Sequence, residues 1–151
     1  MSINEKIKNI LSQHELLTLG TLDETGFPDV RSVDFAVDNE DESKIYFTTF
    51  KGTKKVKEIE LNNQVYVVVD KAANSIEELA QIKYLRAKGK AYVVNEPEEA
   101  QKAMGLLMQK YPFLSELPGD PSMMSIYRIE LSEVAVTDNS LGFGHVDHHN
   151  Y

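Results

Sequence analysis

The sequence predicts a mainly β domain in which about six strands form a small barrel and helices pack outside it. Short segments rich in β-branched and aromatic residues recur along the chain, as is typical of strands. The first three of these segments are joined by turns too short for parallel crossovers, which favours antiparallel pairing. Amphipathic helical segments fall between the strands, so we expect the helices on the periphery.

Composition and length indicate one globular domain covering residues 1–151. The chain is 42% hydrophobic and 26% charged, which is the balance of a soluble protein. No apolar run approaches the roughly 18 residues that span a bilayer, and the first residues do not resemble a signal peptide. We therefore expect a cytoplasmic protein with no membrane partner. The absence of cysteine excludes disulfides, thiolate metal sites and cysteine nucleophiles.

The charge balance argues against nucleic acid as a partner. With 24 acidic and 16 basic residues the formal net charge is −8, which opposes bulk binding to polyanions. An oligonucleotide-binding barrel using Lys51–Lys57 is disfavoured for the same reason, and a small-molecule substrate is expected instead.

The elements follow from hydrophobic periodicity and turn residues. In the first half we expect a helix over 3–14, a strand over 16–22, a return strand over 28–37, a solvated acidic turn over 38–43 and a strand over 44–49. In the second half we expect a helix over 53–61, a strand over 65–69, a connector over 71–81, a strand over 83–94, a helix from 97 to 111, a loop to 122 and a strand over 125–137.

Two of these elements carry a more specific expectation. The 53–61 helix should be buried through Val56, Ile59 and the stem of Glu60. The near-continuous apolar run at 65–69 should be a central strand covered on both faces.

The most informative segment is the lysine-rich start of the 53–61 helix, where four lysines fall within residues 51–57. The macrodipole and unpaired amides make a helix N-terminus partly positive, so these cations are unfavourable there unless an anion binds. The alternative is a solvated helix start whose lysines pair with the acidic turn. The pattern alone leaves both interpretations open.

Arg31 on the return strand strengthens the anion interpretation. If residues 28–37 and 44–49 pair as a hairpin, Arg31 and Ser32 lie beside Thr48 and Thr49. A guanidinium there would add a bidentate phosphate ligand next to the helix start.

The order of these segments resembles a known family. An N-terminal helix precedes LLTLGTLDETGFPDVRSVDF, IYFTTFKGTKKVKEIELNNQVYVVV, RAKGKAYVV and a C-terminal GFGH. Together they resemble the pyridoxamine 5′-phosphate oxidase-like FMN-binding split barrels, above all the small general-stress and nitroimidazole-resistance-type members. The resemblance implies a six-stranded split β-barrel of Greek-key type with peripheral helices, and a homodimer with FMN at the subunit interface.

Site residues carried over by position are implied by the same resemblance. Arg31, Ser32 and Val33 resemble the first flavin-contact strand, and Thr48 and Thr49 resemble the strand end that follows. Thr53, Lys54 and Lys55 resemble the phosphate-binding triplet. Phosphate contacts would come from Arg31 and the triplet, and ring contacts from the backbone of the two strand segments. No side chain stands out as a catalytic acid or base.

The resemblance implies an FMN-dependent oxidoreductase of unknown substrate, a reductase using NAD(P)H. A vitamin B6 oxidase is disfavoured because residues 33–36 lack the family's lysine and the tail lacks its Arg-x-His motif. The alternative is a non-enzymatic stress protein that binds flavin or haem on the same barrel.

The C-terminal tail, residues 138–151, holds three of the four histidines. His145, His148 and His149 with Asp147 offer metal ligands, but no helix fixes them. We therefore predict a flexible tail and no metal site. Packing of the tail near the flavin is a further option that the resemblance allows.

Overall fold

The computed structural model describes all 151 residues. The helices are α1 (Ile3–Gln13), α2 (Lys54–Leu61), α3 (Ile76–Leu79) and α4 (Pro97–Lys110). The strands are β1 (Leu17–Leu22), β2 (Pro28–Val33), β3 (Ala36–Val37), β4 (Lys44–Phe50), β5 (Gln64–Val69), β6 (Lys83–Val93), β7 (Met124–Asp138) and β8 (Val146–Asn150). Short 3₁₀ turns cover Pro112–Glu116, Pro121–Met123 and Asn139–Leu141.

The strands form one antiparallel sheet in the order β2-β1-β5-β6-β7-β4-β3, with β8 beside the second half of β7. β2 and β3 therefore lie at opposite ends of the order, although only Asp34 and Phe35 separate them in the chain. The sheet must curl until its two edges meet at this point. This is the split barrel that the sequence predicts.

The return strand is broken, so the prediction of one strand over 28–37 is wrong. β2 pairs with β1, whereas β3 pairs with β4 through Ala36–Tyr46 and Val37–Ile45. At the break, the Tyr111 hydroxyl lies 3.2 Å from the Phe35 amide nitrogen and 2.9 Å from the Phe35 carbonyl oxygen. A side chain thus supplies the hydrogen bonds that the ladder lacks there, as buried backbone groups require.

The core fills the space between the curled sheet and its flanking helices. α1 contributes Ile7, Ile10 and Leu11, which are buried against the barrel residues. α4 buries Ala103 and Leu107. It is also held by Arg128 on β7, whose Nη1 donates to both carboxylate oxygens of Glu99 at 2.6 and 2.8 Å. None of the helices is long and apolar enough to cross a membrane.

Three further expectations are wrong. β5 is covered on one face only, since Tyr66 is 40% exposed. α2 buries Glu58 rather than the stem of Glu60. The tail is not flexible but forms β8, which is paired with residues 133–137 of β7 and carries His148 and His149 on an ordered strand.

Candidate functional site

The start of α2 is built by a tight turn that follows β4. Gly52 adopts φ +84°, a conformation that side chains disfavour, and Thr53 is the N-cap residue. The Thr53 hydroxyl does not cap the helix, and its Oγ1 is buried without a hydrogen-bond partner. An unpaired buried hydroxyl costs about 1–3 kcal/mol, and the first helical amides also lack intrahelical partners. This corner, the start of α2, therefore presents two kinds of hydrogen-bond donor without an acceptor: the Thr53 hydroxyl and the first helical amides.

Lys55 places a cation at the same helix start. Its Nζ donates to Thr49 Oγ1 at 2.9 Å, and no carboxylate lies within 4.0 Å of it. Burial lowers the pKa of Lys55, and the nearby charge of Arg31 lowers it further. A half-buried ammonium without a counter-ion is a favourable site for an anion.

Arg31 reaches the same corner from β2. Its Nη1 donates to Thr21 Oγ1 at 2.7 Å and to the Leu19 carbonyl at 3.2 Å. Its Nη2 lies 2.9 Å from Glu58 Oε1, and Glu58 is only 3% exposed. Contacts with α2 and β1 therefore fix the position of the guanidinium.

Asp29 connects Arg31 to a further cation, Lys54. Its Oδ2 lies 3.1 Å from Arg31 Nη2 and 3.0 Å from Lys54 Nζ. The hydrogen bond from Lys54 is the largest cause of the lowered pKa of Asp29. The Lys54 side chain is 71% exposed, so this arm of the cluster faces solvent.

The predicted hairpin route to this arrangement is wrong. Arg31 pairs with Leu19 on β1, not with β4, because β2 ends at Val33 before the β3–β4 ladder begins. The curl of the sheet instead brings β2 to α2 through space. The alternative pairing of the lysines with the acidic turn is also wrong, since Asp38 and Asp41 pair with Lys102 and Lys44.

The other predicted ring-contact residues lie apart from the cluster of charges. Thr48 points to the opposite face of β4 from Thr49, where its Oγ1 donates to the Ser125 carbonyl at 3.1 Å. Ser32 is exposed and Val33 is buried in the core. Their expected backbone contacts with a ring stay predictions.

Thr48 borders an apolar cavity of about 390 Å³ between β4, α4 and the following loop. Its apolar lining includes Phe50, Met104, Met108, Leu117, Met124 and Ile126. A flat aromatic group would find a compatible surface there.

Three residues of the cluster were missed from the sequence: Thr21, Asp29 and Glu58. Asp29 and Arg31 are two apart on a strand and so share a face, which was an available signal. Glu58 gave no signal, because a glutamate on a short helix ordinarily faces solvent.

The tail histidines lie elsewhere. His145 Nε2 is 3.1 Å from Asp147 Oδ2, and His149 Nε2 is 3.4 Å from Asn4 Nδ2 at the start of α1. No group of three or more His, Asp or Glu side chains is arranged to hold a metal ion.

The cluster fits one phosphate ester in part. Thr53 Oγ1, Lys55 and the first amides of α2 are available for an anion, as such a group needs. Arg31 and Lys54 carry the right charge but are paired with Glu58 and Asp29 in this arrangement.

Comparison with known proteins agrees with the fold. UPF0306 protein plu4501 of Photorhabdus laumondii is 32% identical over 139 residues, which cover 91% of this chain and 89% of that protein. A solved heme binding protein from Mycobacterium smegmatis superposes with a TM-score of 0.81 at 16% identity, over 99% of this chain and 58% of the other. This chain thus spans little more than half of that protein.

A solved protein from Bacteroides thetaiotaomicron named for 5-nitroimidazole antibiotic resistance has a TM-score of 0.72 at 15% identity, over 90% of this chain and 84% of the other. At such identities the two solved structures show the fold alone. The sequence pattern described as pyridoxamine 5′-phosphate oxidase matches residues 3–138, so this chain belongs to the pyridoxamine 5′-phosphate oxidase family of split barrels.

Proposed function

We propose that this protein is an FMN-binding oxidoreductase, a flavin-dependent reductase that takes electrons from NAD(P)H. The observation that carries the proposal is that the start of α2 holds two groups without a matching anion: the Lys55 ammonium, which has no carboxylate partner, and the buried Thr53 hydroxyl, which has no hydrogen-bond partner. Both groups lie at the start of a helix, and the resemblance of this chain to FMN-binding split barrels implies FMN as the ligand. A phosphate ester would satisfy both at once.

In this proposal the chain's residues bind and orient the cofactor. Lys55, Thr53 and the first amides of α2 would hold the phosphate, with Arg31 and Lys54 adding charge. The backbone of Thr48–Thr49 and Ser32–Val33 would contact the ring system. When bound, FMN would supply the hydride and electron transfer. No side chain of the cluster is assigned as an acid or base.

We also propose a homodimer; FMN at its interface is what the family resemblance implies. On the face of β1, β2 and β5 opposite to Arg31, Val30 and Tyr66 are 64% and 40% exposed, and Phe27 in the β1–β2 turn is 71% exposed. Val30 and Tyr66 flank Gly20, whose missing side chain leaves a groove between them. Neighbouring exposed apolar groups on a sheet are typical of a protein interface. Val30→Glu should convert a dimer to a monomer in analytical ultracentrifugation.

The direct test is the absorbance spectrum of untagged protein as isolated, followed by titration with FMN. We expect flavin bands or saturable binding, and bleaching of those bands on anaerobic addition of NADH or NADPH. Absence of flavin bands together with absence of FMN binding would reject the proposal. Binding without reduction by either nicotinamide would reject the reductase and keep the flavin protein.

A second candidate is a non-enzymatic haem-binding protein. It is favoured by the solved neighbour named for heme binding and by His148, which is exposed on β8 close in sequence to the exposed Phe143 and Val146. The same spectrum discriminates, because haem bound through a histidine gives a Soret band. Loss of that band in His148→Ala would support haem, and an unchanged band would exclude His148 as its ligand.

A further inference from the structure

We infer that Asp29 is a specificity-determining residue: its carboxylate occupies the position between Arg31 and Lys54 that a ligand phosphate would take, and competes with it. This inference rests on the proposed function, since it concerns the same corner. It goes beyond that proposal because it assigns opposite roles to two carboxylates that both touch Arg31.

The Asp29 carboxylate bridges Arg31 and Lys54. One oxygen of Asp29 lies 3.1 Å from Arg31 Nη2 and 3.0 Å from Lys54 Nζ. A single carboxylate oxygen that contacts a strand guanidinium and a helix-start ammonium mimics one oxygen of a phosphate. Any phosphate that uses both cations must displace it.

The two carboxylates that contact Arg31 differ in exposure to solvent. Asp29 is on β2, which pairs with β1 on one side only, and its side chain is 32% exposed. It is therefore free to turn toward solvent when an anion arrives. The Glu58 side chain is 4% exposed and accepts a hydrogen bond from Thr21 at 3.1 Å as well as the Arg31 contact. Glu58 stays in place and positions the guanidinium.

The balance of charges at this corner also sets Asp29 against a phosphate. The corner holds three cations, Arg31, Lys54 and Lys55, and two carboxylates, Asp29 and Glu58. One net positive charge remains for a phosphate monoester that carries about −1.5 to −2 at neutral pH. Moving Asp29 into solvent leaves two net positive charges in contact range, which matches the dianion. Asp29 thus weakens binding of any phosphate ester and leaves a ligand without phosphate unaffected.

The experiment compares FMN with riboflavin, which differ only in the phosphate. Affinities are measured by flavin fluorescence for the unmodified protein, Asp29→Asn and Asp29→Ser. Glu24→Gln is the matched control, since it removes one exposed carboxylate from the adjacent β1–β2 turn without touching the cations. Thermal unfolding of each variant confirms that the fold is intact.

We expect Asp29→Asn and Asp29→Ser to bind FMN about tenfold more tightly, because a competing like charge has been removed. Riboflavin affinity should stay the same in all proteins, and Glu24→Gln should match the unmodified protein. FMN affinity that is unchanged or weaker in both Asp29 variants would overturn the inference while leaving FMN binding intact.

The failure of the proposed function gives a different pattern. If no protein in the series binds FMN, the flavin proposal fails, and inorganic phosphate becomes the probe, monitored by NMR shifts of the Lys55 and Val56 amides. Tighter phosphate binding by Asp29→Asn would still support competition by Asp29. Equal phosphate binding, or none in any variant, would overturn it.

Discussion

Arg31 and Glu58 form an ion pair that fastens the edge strand β2 to α2, with 2.9 Å between Nη2 and Oε1. Glu58 is 3% exposed, and its second oxygen, Oε2, has no hydrogen-bond partner. Such a carboxylate depends on its partner, because an uncompensated buried charge is strongly unfavourable. The pair therefore holds both the fold and the orientation of a residue at the candidate anion site.

Replacing Glu58 tests how much this pair stabilises the protein. We expect Glu58→Ala to lower the free energy of unfolding by about 2–4 kcal/mol, because Arg31 loses its buried carboxylate and keeps Asp29 as its one charged partner. Urea denaturation of the ligand-free protein measures this change. Glu133→Ala is the control, since Glu133 pairs with Lys88 at an exposed position and its loss should leave stability nearly unchanged. Equal effects of the two variants would contradict a stabilising role for Glu58.

The Tyr111 hydroxyl should stabilise the break between β2 and β3. Besides its contacts with Phe35 it lies 2.6 Å from the Glu15 carbonyl oxygen. We expect Tyr111→Phe to cost about 1–3 kcal/mol, since buried backbone groups lose their partner. Hydrogen exchange provides a local readout, in which the Phe35 amide loses protection while amides within β6 keep theirs. Unchanged protection of Phe35 would show that the hydroxyl is not its acceptor.

The lowered pKa of Asp38 predicts that the protein loses stability in acid. Burial raises the pKa of Asp38, but hydrogen bonds from the Glu40 amide and Lys102 outweigh burial and leave the pKa below its ordinary value of 3.8. A depressed pKa means that the contribution is present above the unfolded-state pKa and disappears as pH falls through the folded-state value. Unfolding measured from pH 7 down to about pH 2 should therefore show a smaller acid loss for Asp38→Asn than for the unmodified protein. Identical slopes would contradict this assignment.

The lowered pKa of Lys110 predicts a second pH dependence, at alkaline pH. Here the charged form of the side chain destabilises the folded state, whereas the charged form of Asp38 stabilises it. Burial lowers its pKa to about 8, while its Nζ lies 3.6 Å from the centre of the Phe35 ring. Below pH 8 the buried charge destabilises the folded state, and this penalty is relieved as pH rises from about 8 toward 10.5, the ordinary pKa of lysine. The stability difference between the unmodified protein and Lys110→Met should thus shift in favour of the lysine across that range. A difference independent of pH would place the ammonium in water.

Much of the fold could be predicted from the sequence because its signals are local. The apolar stripe of α1 and the alternation in β6 correspond to the observed burial of those elements. The break at Asp34–Phe35 could not be predicted, since both residues continue a strand-like pattern and the hydroxyl that replaces the ladder comes from Tyr111, far along the chain. Asp38 likewise reads as part of a solvated turn, yet it is 3% exposed because Lys102 of α4 covers it.

The candidate site was only partly accessible from the sequence. Helix electrostatics made an anion site one of two interpretations of the lysine cluster at the start of α2, the other being a solvated helix start. The carboxylates that share it depend on the curl of the sheet, which brings Asp29 on β2 to Lys54. The burial of Glu58 depends on how α2 is rotated about its own axis. The two apolar residues Val56 and Ile59 do not determine that rotation closely enough to predict it.

The central claim is that the buried corner at Thr53 and Lys55 binds the phosphate of FMN. Lys57 is the matched control, because it lies on the same helix but its side chain is exposed and belongs to none of the contacts at this corner. The decisive measurement is the affinity for FMN and for riboflavin of Lys55→Met and Lys57→Met. We predict that Lys55→Met weakens FMN binding by about tenfold to a hundredfold, as expected for loss of a hydrogen bond to a charged group, with riboflavin unaffected and Lys57→Met close to the unmodified protein. FMN binding by Lys55→Met at the affinity of the unmodified protein would contradict the account.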